Sequence, residues 1–600
     1  MPTVRVAIAQ IRPRKADYTE NLRRIGAVFA QFARAERPPE LIVFPETVLS
    51  GYFLEGGVRE VAVTAGTLFR DLAAQHSVSG CAPTDIVVGF YEEFRNRYFN
   101  SALYAALGGA EPGIRHVHRK VFLPTYGVFD EERFVDRGHS TRAFETGWGR
   151  AAIVICEDSW HSLVPTLAAL DGAQVIIVPS ASPARGVAPA ATNGGTSVPT
   201  SVLRWERVMQ RVAEEHGVYV VLAQLVGFEG GKGLSGQSTV VDPHGDVMVR
   251  GPLFDEAIVT ADLDLDEVTR ARASAPLLAD LETELLNLLE AVGGPAARTL
   301  AFDPEDECPR SPAPARPATH PLVAPGPGAD PLTIDATLTE TWLTRFIRDE
   351  LVERRGFQNG IIGLSGGIDS SLTAALAVRA LGPTHVIGVR MPYRTSDPES
   401  LEHAALVAGQ LGIELLTVDI SAAVDAYLEA ADPDADDTRR GNVMARMRMI
   451  TLFDLSAKHR ALPLGTGNKT ERLLGYFTWH GDDAPPVNPL GDLFKTQVRS
   501  LARHLGLPES VIAKPATADL VRGQTDEEDL GISYEKADTI LYWLLEGMRS
   551  DEIASRGFTR EEIEAVSGRL HSTHWKRRLP TVAMVSGTAI GEFYLRPVDY

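Results

Sequence analysis

The chain has 600 residues, with 59 Lys and Arg against 79 Asp and Glu, and 44% of its residues are hydrophobic. This composition excludes disorder as the main state, and the length predicts about two to four domains that each bury a core. The net charge of −20 argues against nucleic acid or an anionic membrane as the main partner, because attraction to either requires a positive surface.

From residue 4, short apolar segments alternate with amphipathic stretches, which predicts an α/β fold. Between the first two strands, apolar residues at helical spacing predict a helix around 22–32. The predicted strands of the first half are 4–10, 41–46, 86–93, 101–107, 151–156, 174–180 and 218–224.

A Leu-rich helix predicted over 277–292 leads into a segment with eight prolines between residues 309 and 331. Such a segment favours extended, poorly packed backbone, and it can be a mere spacer. We therefore predict one domain over 1–270, a connecting helix and linker over 271–331, and a second domain over 332–600.

The second half restarts with a predicted helix near 335–355 and an apolar strand at 361–364. Predicted strands at 385–390 and 414–420 follow, each separated from its neighbour by a helical stretch. Strands that alternate with helices predict a parallel sheet.

Three residues of the first half that suit chemistry lie at the ends of predicted strands: Glu46, Lys120 and Cys156. Ligands collect at strand ends in α/β proteins. Attack on an amide needs a thiolate, a proton carrier and a donor for the developing oxyanion. We expect Lys120 to lower the thiol pKa, Glu46 to carry the proton, and the backbone N–H of Glu157 to serve as a second oxyanion donor.

A cysteine at the end of an apolar strand is commonly an inert core residue, so the hypothesis rests on the three segments together. These segments resemble the nitrilase superfamily of amide and nitrile hydrolases, which carries a Glu-Lys-Cys triad in this order on an αββα sandwich. The stretch RKVFLPTYGVFDEERFVDRG around Lys120 resembles the glutamine-using amidase domains of that family. The resemblance implies that Glu132 orients the lysine and that Tyr126, Glu157 and Ser182 line a glutamine pocket.

The stretch IIGLSGGIDSS at 361–371 is an apolar strand, a Gly-Gly turn and the start of a helix. Glycines let backbone N–H groups form a concave nest, and the helix N-terminus adds positive charge, so the turn suits a phosphate-type anion. A simple strand-to-helix connection is the alternative. The pattern resembles the loop of Rossmann-like ATP pyrophosphatase domains, which transfer AMP to an acceptor oxygen and release pyrophosphate.

Three further blocks, 441–455, 464–508 and 514–534, resemble the NAD synthetase family. Chemistry and this resemblance place Mg²⁺ on Asp369 and Glu471, since hard cations take oxygen ligands. The implied ATP-binding residues are Ser365, Gly366, Gly367, Asp369, Ser370, Arg394, Thr466, Lys495 and Thr517. The implied residues for nicotinate adenine dinucleotide (deamido-NAD) are Asn442, Arg446, Glu471, Asp482 and Lys576.

The complete chain resembles the glutamine-dependent branch of this family, in which an amidase domain feeds ammonia to a synthetase domain. The implied small-molecule partners are ATP, deamido-NAD and L-glutamine, and the resemblance implies a homodimer through the synthetase domain or a larger homo-oligomer. The alternatives are another glutamine-fed adenylating amidotransferase, or a nucleotide-sensing module attached to a free-standing amidase.

The cysteines Cys81, Cys156 and Cys308 are odd in number and far apart, which argues against a disulfide framework or a C-x-x-C metal site. The opening MPTVRVAIAQ lacks the features of a signal peptide, and no apolar run reaches about 18 residues. These features predict a cytoplasmic protein without a membrane partner.

Overall fold

The computed structural model describes residues 3–54, 57–189, 192–193, 196–293, 330–517 and 525–577. These residues form two compact units. The first holds nearly all of the described residues up to 293, and the second holds those from 330 onward together with Val187–Ser197. The predicted Pro-rich linker lies outside the described residues. Across the described ranges, no helix combines the length and hydropathy needed to cross a membrane.

Residues 3–293 contain sixteen described strands and seven described α-helices. The strands are β1 Thr3–Gln10, β2 Leu41–Val43, β3 Thr84–Phe94, β4 Arg97–Leu107, β5 Gly113–Arg119, β6 Ala143–Glu145, β7 Arg150–Ile153, β8 Val175–Ser180, β9 Thr192–Asn193, β10 Thr196–Ser197, β11 Tyr219–Gln224, β12 Val226–Glu229, β13 Lys232–Ser235, β14 Thr239–Val241, β15 Val247–Arg250 and β16 Ala257–Asp264. The helices are α1 Tyr18–Phe32, α2 Val58–Val61, α3 Ala65–Ser79, α4 Leu163–Leu170, α5 Thr200–His216, α6 Asp266–Ser274 and α7 Leu277–Gly293.

Two six-stranded sheets form the centre of the first unit, in the strand orders β16-β1-β2-β3-β4-β5 and β15-β14-β11-β8-β7-β6. Side chains of a strand alternate between its two faces. On β1, Val6 and Ile8 belong to the core shared with the second sheet, whereas Ala7 and Ala9 pack in the core that includes α1 and α3. Helices α4 and α5 contribute to the core of the second sheet, so the layers run α-β-β-α.

Within the described ranges 330–517 and 525–577 there are four strands and twelve α-helices. The strands are β17 Asn359–Gly363, β18 Val386–Arg390, β19 Glu414–Thr417 and β20 Ala461–Pro463. The helices are α8 Ala336–Arg348, α9 Ile368–Leu381, α10 Pro398–Leu411, α11 Ser421–Ala431, α12 Asp437–His459, α13 Lys469–Leu474, α14 Lys495–His504, α15 Glu509–Ile512, α16 Asp526–Leu530, α17 Tyr534–Leu545, α18 Ser550–Ala554 and α19 Arg560–Ser572.

The sheet of the second unit has the order β19-β18-β17-β20, and every neighbouring pair is parallel. Ile362 packs with residues of α8, α9 and α14, while Ile361 packs on the other side with Leu452 and Leu455 of α12. Helices therefore cover both faces, as a parallel sheet requires.

The predicted fold class is confirmed in both units. The predicted strand at 4–10 is β1, and the predicted helix at 277–292 is α7. The domain boundaries remain predictions, and Val187–Ser197 clusters with the second unit rather than the first. In this segment the carbonyl of Val187 accepts a hydrogen bond from the backbone N–H of Asp335, which caps α8.

Candidate active sites

The three predicted chemical residues of the first unit follow strand ends. Glu46 lies shortly after β2, Lys120 directly after β5, and Cys156 shortly after β7, where it opens a 3-10 turn over Cys156–Trp160. Gly89 of β3 lets the Glu46 turn approach, since a Cβ at Gly89 would lie 2.6 Å from Glu46 Cα. A side chain at position 89 would therefore push the glutamate away.

The Lys120 ammonium group is completely buried between two carboxylates. Its Nζ lies 2.8 Å from Glu46 Oε1 and 2.7 Å from Glu131 Oε2. The amide of Asn100 also donates to both carboxylates, at 2.7 Å to Glu46 Oε1. Burial alone lowers the pKa of Lys120, but Glu131 and Glu46 outweigh burial and raise it well above its usual range. The lysine is thus a fixed positive charge.

Glu131, not the predicted Glu132, contacts the lysine. Glu132 is half-exposed and accepts hydrogen bonds from Arg137 at the surface. Glu131 is buried in a 3-10 turn and also accepts a hydrogen bond of 3.0 Å from the hydroxyl of Tyr52. The prediction of Glu132 was therefore wrong by one residue, because the turn directs the first of two adjacent glutamates inward.

Cys156 is buried and has a left-handed backbone, with φ at 43°. Burial raises the pKa of its thiol well above the usual range, Glu46 raises it further, and Lys120 lowers it. The expected effect of the lysine is present, but burial outweighs it. Burial therefore disfavours the thiolate, and activation of the sulfur requires a base.

Glu46 is the candidate for such a base. Its Oε1 holds Lys120 and Asn100, whereas its buried Oε2 has no hydrogen-bond partner among the described residues. Burial raises the pKa of this carboxyl, the lysine lowers it, and Glu131 raises it. A buried acceptor with a raised pKa is suited to take a thiol proton and to return it later.

The predicted glutamine-binding residues divide into two groups. The hydroxyl of Tyr126 donates to Glu157 at 2.9–3.0 Å, one residue after the cysteine. The Oγ of Ser182 instead accepts a hydrogen bond of 2.5 Å from the indole of Trp205. The structure therefore brings Tyr126 and Glu157 together, while Ser182 lines a separate small cavity with Trp205 and Gln224.

In the second unit, the loop between β17 and α9 folds as the sequence predicts. Gly366 has φ at 80°, and a Cβ there would collide with the carbonyl of Ser400. The Ser365 hydroxyl accepts a hydrogen bond of 3.2 Å from the N–H of Gly367, and it also contacts Ser370 Oγ at 3.0 Å. These bonds hold the loop open at the N-terminus of α9, where an anion is stabilised.

Lys495 lies between Asp369 and Glu471 at the first turn of α14. Its Nζ is 2.5 Å from Asp369 Oδ2 and 3.0 Å from Glu471 Oε1. Asn468 links the same groups, because its amide donates to Asp369 and its side-chain oxygen caps the helix that carries Glu471. Burial raises the pKa of Glu471 to about 7, with Lys495 acting in the opposite direction.

A cavity of about 320 Å³ opens beside this cluster and the glycine loop. Eight predicted residues lie on its wall: Ser365, Gly367, Asp369, Ser370, Thr466, Glu471, Lys495 and Thr517. Asp482 lies there as well, and its carboxylate accepts a hydrogen bond of 2.9 Å from the N–H of Thr478. The cavity therefore combines an anion-binding turn with paired carboxylates and a buried cation.

Five predicted residues are not on the cavity wall: Gly366, Arg394, Asn442, Arg446 and Lys576. The largely exposed Arg394 pairs with Asp425. Arg446 and Lys576 instead donate to backbone carbonyls of Trp479, Gly475 and Phe477. These two cations hold the loop that carries Asp482, and their predicted contact with a dinucleotide stays a prediction.

Several functional candidates escaped sequence reasoning. Asn100 is a polar residue inside an apolar strand, which is the one signal that could have identified it. Asp526 lies on the cavity wall and accepts hydrogen bonds from the hydroxyls of Tyr534 and Tyr476. Asp538 is fully buried and binds the side chains of Thr470 and Thr496, the neighbours of Glu471 and Lys495.

The residues on the wall fit a hard divalent cation in part. Asp369 and Glu471 offer carboxylate oxygens at the cavity, which Mg²⁺ prefers. Within the described ranges, no cluster of three or more His, Cys, Asp or Glu side chains could hold a metal. A magnesium ion here would therefore need oxygens from nucleotide phosphates and water to complete its coordination.

Comparison with known proteins agrees with this division into two sites. The model of the carbon-nitrogen hydrolase family matches residues 5–273, and the model of the NAD synthase family matches residues 340–580. The fold and sites therefore define an amidase of the carbon-nitrogen hydrolase class joined to a nucleotide-dependent synthase.

Matches over the full length are more specific. A glutamine-dependent NAD(+) synthetase from Thermotoga maritima is 32% identical over 617 residues, which cover 100% of this chain and 99% of that protein. The solved glutamine-dependent NAD+ synthetase of Acinetobacter baumannii is 25% identical with a TM-score of 0.68, covering 100% of this chain and 98% of that one. The chain belongs to the family of glutamine-dependent NAD(+) synthetases.

A third relative matches only the second half. An NH(3)-dependent NAD(+) synthetase from Trichlorobacter lovleyi is 48% identical over 261 residues, which is 43% of this chain and 94% of that protein. The second unit therefore has relatives that consist of that unit alone.

Proposed function

We propose that this protein makes NAD from deamido-NAD, ATP and L-glutamine, with glutamate, AMP and pyrophosphate as the other products. The observation that carries the proposal is the presence of two different lysine-carboxylate clusters in one chain of this family. One holds Glu46 and Lys120 beside a thiol, and the other holds Asp369 and Lys495 beside a glycine loop and a cavity.

In the first unit, Glu46 Oε2 takes the thiol proton of Cys156 as the sulfur attacks the side-chain amide of glutamine. The Lys120 ammonium stabilises the negative oxygen of the tetrahedral intermediate, together with the N–H of Glu157. The proton then passes to the leaving nitrogen, which departs as ammonia. Water attacks the remaining thioester, and Glu46 accepts a proton from that water. The C–S bond then breaks, the sulfur of Cys156 recovers the proton from Glu46, and glutamate leaves.

In the second unit, amidation of a carboxylate requires activation, because the carboxylate is a poor electrophile. The nicotinate carboxylate of deamido-NAD attacks the α-phosphate of ATP, and pyrophosphate leaves. The glycine loop binds the phosphates, and Lys495 offsets their charge. Mg²⁺ on Asp369 and Glu471 would shield the phosphate charges. Ammonia then displaces AMP from the adenylate and yields NAD.

We propose that ammonia passes to the synthetase site without release to bulk water, because free ammonia would largely become protonated there and lose its nucleophilicity. Labelled ammonium supplied during turnover on glutamine tests this proposal. Little label should enter NAD, and heavy incorporation would reject the proposal.

We further propose a cytoplasmic location and a homodimer through the synthetase unit. Light scattering tests the dimer.

The deciding experiment is the product set formed from glutamine, ATP, Mg²⁺ and deamido-NAD. We expect NAD, glutamate, AMP and pyrophosphate in equal amounts at low substrate consumption. Formation of ADP would exclude adenylation. Adenylation of a different acid, with deamido-NAD inert, would favour another glutamine-fed amidotransferase, and glutamate release without AMP formation would favour a nucleotide-sensing module.

A further inference from the structure

A buried histidine and aspartate connect the cysteine turn to the strand that carries the lysine. Asp158 follows Cys156 by two residues, and His118 precedes Lys120 by two residues on β5. The Nε2–H of His118 donates to Asp158 Oδ2 at 3.1 Å, and both side chains are almost completely inaccessible. Neither residue has a role in the mechanism above.

The Asp158 carboxylate has four donors around it. Its Oδ1 accepts from the backbone N–H groups of Val121 at 3.0 Å and Phe122 at 2.7 Å. Its Oδ2 accepts from His118 and, at 3.4 Å, from the N–H of Ile155. One carboxylate therefore binds the chain on both sides of Lys120 and the residue directly before Cys156.

The cysteine needs such an anchor, because its φ of 43° is unfavourable for a residue with a side chain. Such conformations persist only where the surroundings fix them. The turn is held by Asp158 and by a hydrogen bond of 2.6 Å from the Ser159 hydroxyl to the Cys156 carbonyl. Loss of a donor to Asp158 would let the cysteine turn move relative to Lys120.

The geometry points to His118 and Asp158 as positioning residues that hold the Cys156 turn in register with Lys120. This inference rests on the proposed glutaminase reaction. It predicts that loss of the His118 hydrogen-bond donor slows the chemical step on glutamine much more than it weakens the binding of glutamine. A misplacement of about 1 Å can cost on the order of 10²-fold in rate.

The test compares His118→Gln with His118→Asn in the full-length protein. Glutamine places an amide Nε2 donor near the position of the histidine Nε2, whereas asparagine is too short to reach Asp158. We expect His118→Asn to lower kcat for glutamine hydrolysis by roughly 10- to 100-fold while KM stays within about threefold. His118→Gln should recover most of kcat. The alkylation rate of Cys156 by iodoacetamide, read by peptide mass spectrometry, should follow the same order.

The matched control is His216→Asn. His216 is also buried in the first unit, with Nε2 beside Thr166 Oγ1 at 2.9 Å, but it has no contact with the cysteine turn. Its loss should change stability and leave kcat nearly unaltered. Equal kcat values for His118→Gln and His118→Asn, or an equal fall in His216→Asn, would overturn the inference.

Two further measurements keep the outcome interpretable. Synthesis of NAD from ammonium, which uses only the second unit, should persist in every variant and reports the integrity of that unit, and calorimetric unfolding of the first unit reports whether the variant folds there. If His118→Asn does not fold, Asp158→Asn replaces it in the test. The asparagine amide offers the four donors one acceptor oxygen instead of two. An unchanged kcat in Asp158→Asn would refute the inference. Wild-type protein that forms no glutamate from glutamine would instead reject the proposed function.

Discussion

Both units contain a lysine shared by two carboxylates, and they differ in how far solvent reaches the cluster. Lys120 and Glu46 are 0% exposed and Glu131 is 5% exposed, so the first cluster is sealed. Lys495 is 3% exposed, but Asp369 and Glu471 are 16% and 18% exposed on the wall of the cavity. The first cluster can act only on its immediate neighbours and on a substrate held against them, whereas the second can accept a cation and phosphates.

The largest expected effect concerns the open cluster. Asp369→Asn removes one of the two carboxylates that contact Lys495 at the cavity, so we expect NAD synthesis to fall by roughly 10³-fold or more. The loss should be equal with glutamine and with ammonium as nitrogen source. Asp492→Asn is the matched control, because Asp492 pairs with Lys469 and is 96% exposed. Survival of the ammonium reaction in Asp369→Asn would contradict the role of this site in activation.

A defect at the sealed cluster should abolish NAD synthesis from only one of the two nitrogen sources. Cys156→Ala removes the nucleophile, so synthesis from glutamine should fall to background while synthesis from ammonium continues. Assays of NAD formation with each source measure this directly. Cys81→Ala serves as the control, since Cys81 is a free cysteine of the same unit that does not belong to the cluster. Loss of both reactions in Cys156→Ala would mean that the two sites do not divide the work as proposed.

The same contrast predicts different stability costs for two equivalent substitutions. Lys120→Met leaves two sealed carboxylates without a cation, which should destabilise the first unit by about 3–5 kcal/mol. Lys495→Met should destabilise the second unit by less, because water reaches both carboxylates. Calorimetric unfolding of each variant, with the transitions assigned to the units, measures the difference. A larger loss for Lys495→Met would contradict the contrast.

Sequence reasoning was most successful where a residue follows a strand. The positions of Glu46, Lys120 and Cys156 could be predicted because apolar strands are easily recognised, although β2 and β5 belong to the first sheet and β7 to the second. The glycine loop could be predicted equally well, since its conformation depends on residues adjacent in sequence. Local patterns therefore located both clusters.

Residues that depend on long-range packing could not be predicted. The choice between Glu131 and Glu132 depends on how a short 3-10 turn directs its side chains, and both are glutamates. Asn100 reaches Glu46 from β4, which is separated from β2 by β3, and it lies 54 positions away in sequence. The predicted contact of Arg394 with ATP stays a prediction, because in this structure its side chain pairs with Asp425.

The smallest expected effect concerns the stability of the first unit at acid pH. Burial lowers the pKa of His116 to about 4, with His118 acting in the same direction, and the ring stacks on Phe144 at a centroid distance of 4.5 Å. Between pH 4 and about 6.5 the unfolded chain binds a proton at His116 that the folded chain does not bind. Stability is therefore fully present above about pH 6.5 and falls as the pH drops through this window, with no further change from this group below pH 4.

His116→Phe keeps an aromatic ring on Phe144 and removes the proton site. In this variant the free energy of unfolding of the first unit should change less between pH 4 and 6.5 than in the wild type, by roughly 1–3 kcal/mol over the window. The unfolding transition of the second unit should be unchanged. Denaturant titrations at several pH values provide the measurement. In this pH range the variant differs from the wild type only by the loss of a titrating ring. If the slope of the unfolding free energy against pH is the same in His116→Phe as in the wild type, other groups of the first unit cause its acid sensitivity.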